Sequence, residues 1–264
     1  MRIQVLCNDK ALKGFESEHG LSLYIESYNH HILFDTGSSD VAVKNSEKLR
    51  LSLKEIDFVV ISHGHYDHIG GLDSILKATG KTRVYAGKGC LLPRYSGPRR
   101  AGAPESKMQY QKLGARFEEI DQISAPAKNS FLLPAVPFRT SEMPSARFKR
   151  LGIEERVRDF FEDELGLIVI ENQNAVLFTG CSHRGIGNII LEATKHWKIK
   201  TVVGGLHLLH KSPGEIEEIC RLIKPFNIEK FYIGHCTGDQ AIETFSKKLQ
   251  AVVKELKAGQ IIEI

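Results

Sequence analysis

Phe58-Val-Val-Ile61-Ser62-His63-Gly64-His65-Tyr66-Asp67-His68 is a continuous apolar run that ends abruptly in histidines and an aspartate. Four apolar residues in a row read as a strand buried on both faces. His63 and His65 are two residues apart, so in an extended segment their side chains point the same way and can grip one ion. Asp67 and His68 follow as the chain turns toward a helix, within reach of a second ion. Gly64 permits close turning of the backbone; Gly70 and Gly71 let the chain pass from loop to helix. Imidazole and carboxylate donors suit Zn, Fe, Mn or Ni better than Ca or Mg.

Other strand ends repeat the theme. Short strands are expected at Arg2–Leu6, around Leu21, Leu23 and Ile25, at His31–Phe34 and at Thr82–Ala86, with helices over Ser39–Leu49 and Leu72–Thr79. Gly166–Glu171 and Ala175–Phe178 read as a hairpin about Asn172-Gln-Asn174. The strand-like runs to Phe178, Thr201–Val203 and Lys230–Ile233 lead to His183, His207 and His235. Helices are expected over Ile186–His196, Glu215–Ile223 and Gln240–Lys257, with a last strand at Gln260–Ile264. Loops at strand ends of α/β sheets are where ligand sites gather. His183 and His235 are therefore candidate metal ligands, and Cys181 is a further candidate thiolate ligand. His207 is a ligand or a catalytic proton-transfer residue, and Asp67 is both ligand and catalytic carboxylate. His19, His30, His31, His196 and His210 are taken as surface or packing residues, and Asp163 and Glu164 as solvated charges.

Between about residues 87 and 158 the periodicity weakens. Seven of the nine prolines fall there, and Lys88–Arg116 carries seven Lys or Arg residues against one acid, Glu105. The reading is a single domain, 1–264, with a basic, Pro-rich excursion at 87–158. Arg94, Arg99 and Arg100 on it are candidate contacts for phosphate or carboxylate, which guanidinium binds bidentately. Arg147, Lys149 and Arg150 could join them.

The whole composition narrows the classes further. A chain of 264 residues, 42% hydrophobic and 26% charged, can bury a sizeable core without disulfide staples. Five scattered cysteines without a CxxC read as reduced thiols. No apolar run reaches the length of a membrane span, and the polar start is no signal peptide; a cytoplasmic setting is the expectation. The net charge of +4 is mild, and no aromatic-basic stacking face points to nucleic acid. No GxxxxGK[ST] or complete GxGxxG is present, and Ser182 lies in a motif one residue too long for a nucleophile elbow.

His63-x-His65-x-Asp67-His68 after a buried strand, with Asp35-Thr36-Gly37 upstream, resembles the metallo-β-lactamase superfamily. The resemblance implies an αβ/βα sandwich of two mixed sheets flanked by helices, with a metal site of one or two zinc ions at one edge. Fe, Mn or Ni are alternatives. Asp35 then supports the metal-binding loop by orienting a ligand histidine. Phe178-Thr-Gly180 is similar to the family's fourth motif, yet Cys181 stands where a bridging aspartate is usual. The third-motif histidine has no counterpart between residues 69 and 182, and His183 is a candidate replacement. His235 matches the final ligand. Gly180-Cys-Ser-His183, Gly204-Gly-Leu-His-Leu208 and His235-Cys-Thr-Gly238 resemble one branch of the family, that of an archaeal dihydropterin-(β-D-ribofuranosyl)aminobenzene-5′-phosphate synthase.

Three functions are expected from this pattern. The first is a metal-dependent hydrolase of a small phosphate- or carboxylate-bearing substrate, using metal-activated water. The second is a transferase joining a hydroxymethyl-dihydropterin diphosphate to an aryl-ribose phosphate with release of pyrophosphate. The third is a metal-containing binding protein without turnover. The expected partner is a small anionic molecule, with homo-oligomerisation left open.

Overall fold

A computed structural model describes residues 1–264. The first third of the chain runs β1 (Arg2–Cys7), β2 (Ser22–Ser27), β3 (His30–Phe34), α1 (Val41–Lys48), β4 (Phe58–Ile61), α2 (Tyr66–Ile69), α3 (Leu72–Thr79) and β5 (Thr82–Gly87). There follow β6 (Arg94–Ser96), β7 (Arg99–Arg100), α4 (Lys107–Lys112), β8 (Ala115–Ile120), β9 (Ser124–Ala127), β10 (Ser130–Leu133), β11 (Phe148–Leu151) and β12 (Arg156–Arg158). The last third is β13 (Gly166–Glu171), β14 (Asn174–Thr179), α5 (Ile186–Ala193), β15 (Ile199–Gly205), α6 (Pro213–Ile223), β16 (Lys230–Gly234), α7 (Asp239–Lys248), β17 (Val252–Glu255) and β18 (Ile261–Glu263).

Two seven-stranded mixed sheets result, in the orders β18-β1-β2-β3-β4-β5-β8 and β17-β16-β15-β14-β13-β10-β9. In each, parallel pairing covers one half and antiparallel pairing the other. The side chains sort by strand parity. Phe58 and Val60 join Phe34, Leu167, Val169, Val176 and Phe178 in a core between the sheets, while Val59 and Ile61 face a second core with Leu72, Ile75 and Tyr110. A third core packs α5, α6 and α7 on the outer face of the second sheet, through Ile190, Ile219 and Phe245 among others. The apolar run of β4 is continuous because both its faces are covered. The architecture is the αβ/βα sandwich expected from the resemblance.

Two expectations need correction. The helix expected over Gln240–Lys257 ends at Lys248; Leu249 is already extended, and Val252–Glu255 pairs parallel with β16. The β-branched pair Val252-Val253 suits a pleated strand better than another helical turn. Nor is the stretch 87–158 one excursion. Residues 107–133 supply α4 and β8 to the first sheet's side and β9 and β10 to the second sheet. Only β6, β7, β11 and β12 form a separate four-stranded sheet, in the order β12-β11-β6-β7. That small sheet carries arginines to the mouth of the functional cleft.

Candidate metal centre

The loop after β4 and the short helix α2 bring three imidazoles and a carboxylate to one buried place. His63 and His68 are fully buried, His65 and Asp67 nearly so. Gly64 is required there: a Cβ would lie 1.7 Å from the Cys90 carbonyl oxygen. His65 Nδ1 stands 3.2 Å from His63 Nε2 and 3.2 Å from Nε2 of His183, which arrives from the loop after β14. Around a tetrahedral ion with bonds of about 2.0–2.1 Å, nitrogens are separated by roughly 3.3 Å. Both pairs that include His65 already hold that spacing.

A second donor group adjoins the first. Asp67 Oδ2 lies 3.2 Å from His235 Nε2 and 3.7 Å from His68 Nε2, and His68 Nε2 lies 3.1 Å from Cys181 Sγ. Asp67, His68, Cys181 and His235 each offer an atom within 4.8 Å of the others, as do His63, Cys181 and His183. Cys181 therefore stands between the two groups.

The outer nitrogens are held by carboxylates. Asp35, buried at the end of β3 with φ +59°, accepts from the backbone N–H and Oγ of Ser62 at 2.7 Å each. Its Oδ2 is also 2.7 Å from His68 Nδ1. Asp9 does the same for His235 Nδ1 at 2.6 Å. Such partners fix the ring and leave the other nitrogen for an ion.

The residues fit a metal. His235 Nε2 and His207 Nδ1 are buried without a hydrogen-bond partner, which is costly unless something else engages them. Burial drives His63 and His183 well below the ordinary imidazole range, and the neighbouring imidazoles add to it; burial also pushes His65 down to about 3. These rings are neutral, the form that ligates. Burial alone would raise Asp67 and lower His235. Asp67 is held well below the carboxylate range by His68, His19 and His235. His235 is held well above its usual value by Cys236, Asp67 and Asp9.

Of the other residues singled out from the sequence, His207 lines the cleft and Arg99 and Arg100 stand exposed at its mouth. Arg94 does not reach it. The side chain is buried, with Nε on Asp159 at 2.7 Å, Nη2 on Asp163 and Nη1 on the Cys90 carbonyl at 2.7 Å. Asp163 and Glu164 are likewise buried instead of solvated. Asp163 accepts the Gly64 N–H at 2.9 Å; Glu164 accepts the N–H groups of His183 and Arg184 at 2.6 and 2.9 Å. Residues 159–165 pass beneath the metal loops, where Leu165 N–H also meets the Ser62 carbonyl at 2.7 Å.

Asp9 and His19 were missed as site residues. His19 spans Asp9 (2.8 Å) and Asp67 (3.3 Å) at the cleft wall. Asp9 had a signal, an aspartate just past a strand, as at Asp35; His19 had none. Phe161 stacks on His183 with centroids 3.8 Å apart.

The cleft above these donors has a volume of about 750 Å³. It is lined by Tyr66, Met143, Phe148 and Leu209 and by the exposed Arg99, Arg100 and Arg147, while Lys211, also on its lining, pairs with Glu215 at 2.8 Å.

Residues 18–235 match the profile of the metallo-β-lactamase superfamily. The crystal structure of Tm1679, described as a metal-dependent hydrolase of the β-lactamase superfamily, superposes with a TM-score of 0.90. It is 40% identical over 100% of this chain and 99% of that one. An uncharacterized protein of Methanocaldococcus jannaschii, MJ0448, is 33% identical over 93% of this chain and 94% of its own length. The 7,8-dihydropterin-6-methyl-4-(β-D-ribofuranosyl)-aminobenzene-5′-phosphate synthase of the same organism is 28% identical over 100% of this chain and 96% of its own.

Proposed function

The chain belongs to the metallo-β-lactamase superfamily, and from that footing we propose that it is a metal-dependent hydrolase of a small substrate bearing phosphate or carboxylate. One observation carries this reading: two adjoining donor groups lie at the floor of a cleft lined by Arg99, Arg100, Arg147 and Lys211. His63, His65 and His183 would hold one ion; Asp67, His68 and His235 would hold a second, with Cys181 between them. Zinc suits the mixed imidazole, carboxylate and thiolate set. A bound metal lowers the pKa of water toward about 7 and polarises the attacked group. Asp67 orients the attacking water through its carboxylate, and the arginines hold the substrate's anionic end. Phe148 and Phe161 pack against the histidine rings and exclude water from their far side. The five unpaired thiols support a reducing compartment, the cytoplasm in this reading.

The test is product analysis in ¹⁸O-water with metal-loaded protein and a panel of phosphoesters, carboxyesters and a pterin diphosphate. Label in the released acid or phosphate is the expected outcome. Full-length similarity to the archaeal synthase favours a second reading, transfer with release of pyrophosphate. Turnover of the diphosphate only when an aryl-ribose phosphate acceptor is present, without label in the joined product, would replace hydrolysis by transfer. Tight metal binding with no turnover of either kind would leave a metal-containing binding protein.

A further inference from the structure

Three neighbouring parallel strands, β14, β15 and β16, each end in a loop that carries one soft or borderline donor: Cys181, His207 and Cys236. One donor atom of each lies within 4.8 Å of the other two. Around a tetrahedral zinc, with bonds of about 2.3 Å to sulfur and 2.0–2.1 Å to nitrogen, such donors stand roughly 3.3–3.8 Å apart. Only a small contraction separates the two arrangements.

A buried cysteine is often no more than a small apolar residue. The other three thiols fit that description: Cys7 and Cys90 belong to the core under the first sheet, and Cys220 to the core under the second. Cys181 and Cys236 belong to neither core, nor to the one between the sheets, and both line the cleft. Cys236 Sγ receives the backbone N–H of His207 at 3.2 Å, and its own hydrogen has only a long contact, 3.7 Å, to the Cys181 carbonyl. His207 Nδ1 is buried with no partner.

The three loops are also tied to one another. Ser182 Oγ donates to the Gly205 carbonyl at 2.8 Å, and Thr237 Oγ1 accepts the Leu206 N–H at 3.1 Å. Each loop holds a non-glycine residue in the left-handed region, at Ser182 (φ +62°), His207 (+53°) and His235 (+49°). Strained backbone of this kind persists where its surroundings over-determine it, and it gathers at ligand sites.

We propose that Cys181, His207 and Cys236 form a sulfur-rich cation subsite for a thiophilic ion such as zinc, cadmium or cuprous copper, sharing Cys181 with the Asp67–His68–His235 group. The subsite rests on the reading of the cleft as a metal centre and gives that centre a soft side facing the second sheet. Each thiol passes its proton to solvent as the ion enters.

Chelator-stripped, reduced protein titrated with cobalt(II) alone tests this, through the thiolate-to-cobalt charge-transfer band and the cobalt bound per chain. Cys236→Ser is expected to lower the band by about half, because two thiolate ligands become one. His207→Ala is expected to weaken cobalt binding while His63→Ala leaves the band in place. An unchanged band and unchanged stoichiometry in Cys236→Ser and His207→Ala would overturn the subsite and leave the histidine centre standing. No cobalt bound by the wild type would overturn both. Should the variants fail to fold, thiol alkylation read by peptide mass spectrometry on the wild type decides: metal-dependent protection of both Cys181 and Cys236 supports the subsite, and protection of Cys181 alone or of neither overturns it.

Discussion

Three imidazole nitrogens cannot all be satisfied by one another at 3.2 Å, because a neutral ring carries one donor and one acceptor. An ion resolves that conflict, and the carboxylates behind the rings decide how well. Asp35 faces His68 Nδ1 from full burial. Asp35→Asn should therefore weaken the second metal site about 10–100-fold and change the first site less, as measured by competition with a chromophoric chelator. Glu164 sets a pH dependence of the metal-free protein. Burial raises its carboxyl to about 7, against the pull of the His183 and Arg184 N–H groups. An unfolded glutamate titrates near about 4.3, so between these values the native state holds a proton that the unfolded state has lost. Stability contributed at this residue is thus full below about pH 4 and falls as pH rises toward 7, by at most about 4 kcal/mol. Urea midpoints of Glu164→Gln between pH 5 and 8 should lack that fall; a slope equal to wild type would show that Glu164 does not titrate in this window.

At the scale of elements, the small sheet is anchored to the metal loop by a buried charge group. Arg94 on β6 joins Asp159 and Asp163, and Asp163 holds the N–H of Gly64 between His63 and His65. Arg94→Ala would leave two buried carboxylates without their cation, at a cost of about 3–5 kcal/mol. A chain of this size should then melt about 6–20 °C lower, a drop that calorimetry reads directly. Lysine should rescue little, since it cannot span both carboxylates. Sequence showed Arg94 only as one of several basic residues, because its partners lie 65 and 69 positions away. The 62–68 segment was readable for the opposite reason: its candidate ligands are contiguous and follow a strand buried on both faces. His183, His207 and His235 were readable as strand ends. The edge strand Ala115–Ile120 was not, because charged residues interrupt its alternation and only β5 defines it.

Across the whole molecule, the net charge is only +4, so any attraction of an anion must come from where the charges sit. Arg99 and Arg100 occupy the short strand β7, beside Ala101, whose carbonyl accepts the Tyr66 N–H of the metal loop at 2.9 Å. Arg147 joins them across the cleft mouth, with Nε on Ser96 Oγ at 3.0 Å. The arginines are thus held in register with the metal loop while their guanidinium groups stay in solvent. Exposed charges act over a Debye length of about 8–10 Å, which favours capture of an anion more than the chemical step. Arg99→Gln with Arg100→Gln should lower kcat/KM for an anionic substrate about 10-fold or more, mainly through KM. A neutral ester of the same size should be affected little. The wild-type kcat/KM should fall as salt rises from 50 to 500 mM, and the double variant should respond more weakly. A salt response unchanged by the two substitutions would move anion recognition to Arg147 and Lys211; an equal loss for neutral and anionic substrates would make β7 a structural support of the metal loop.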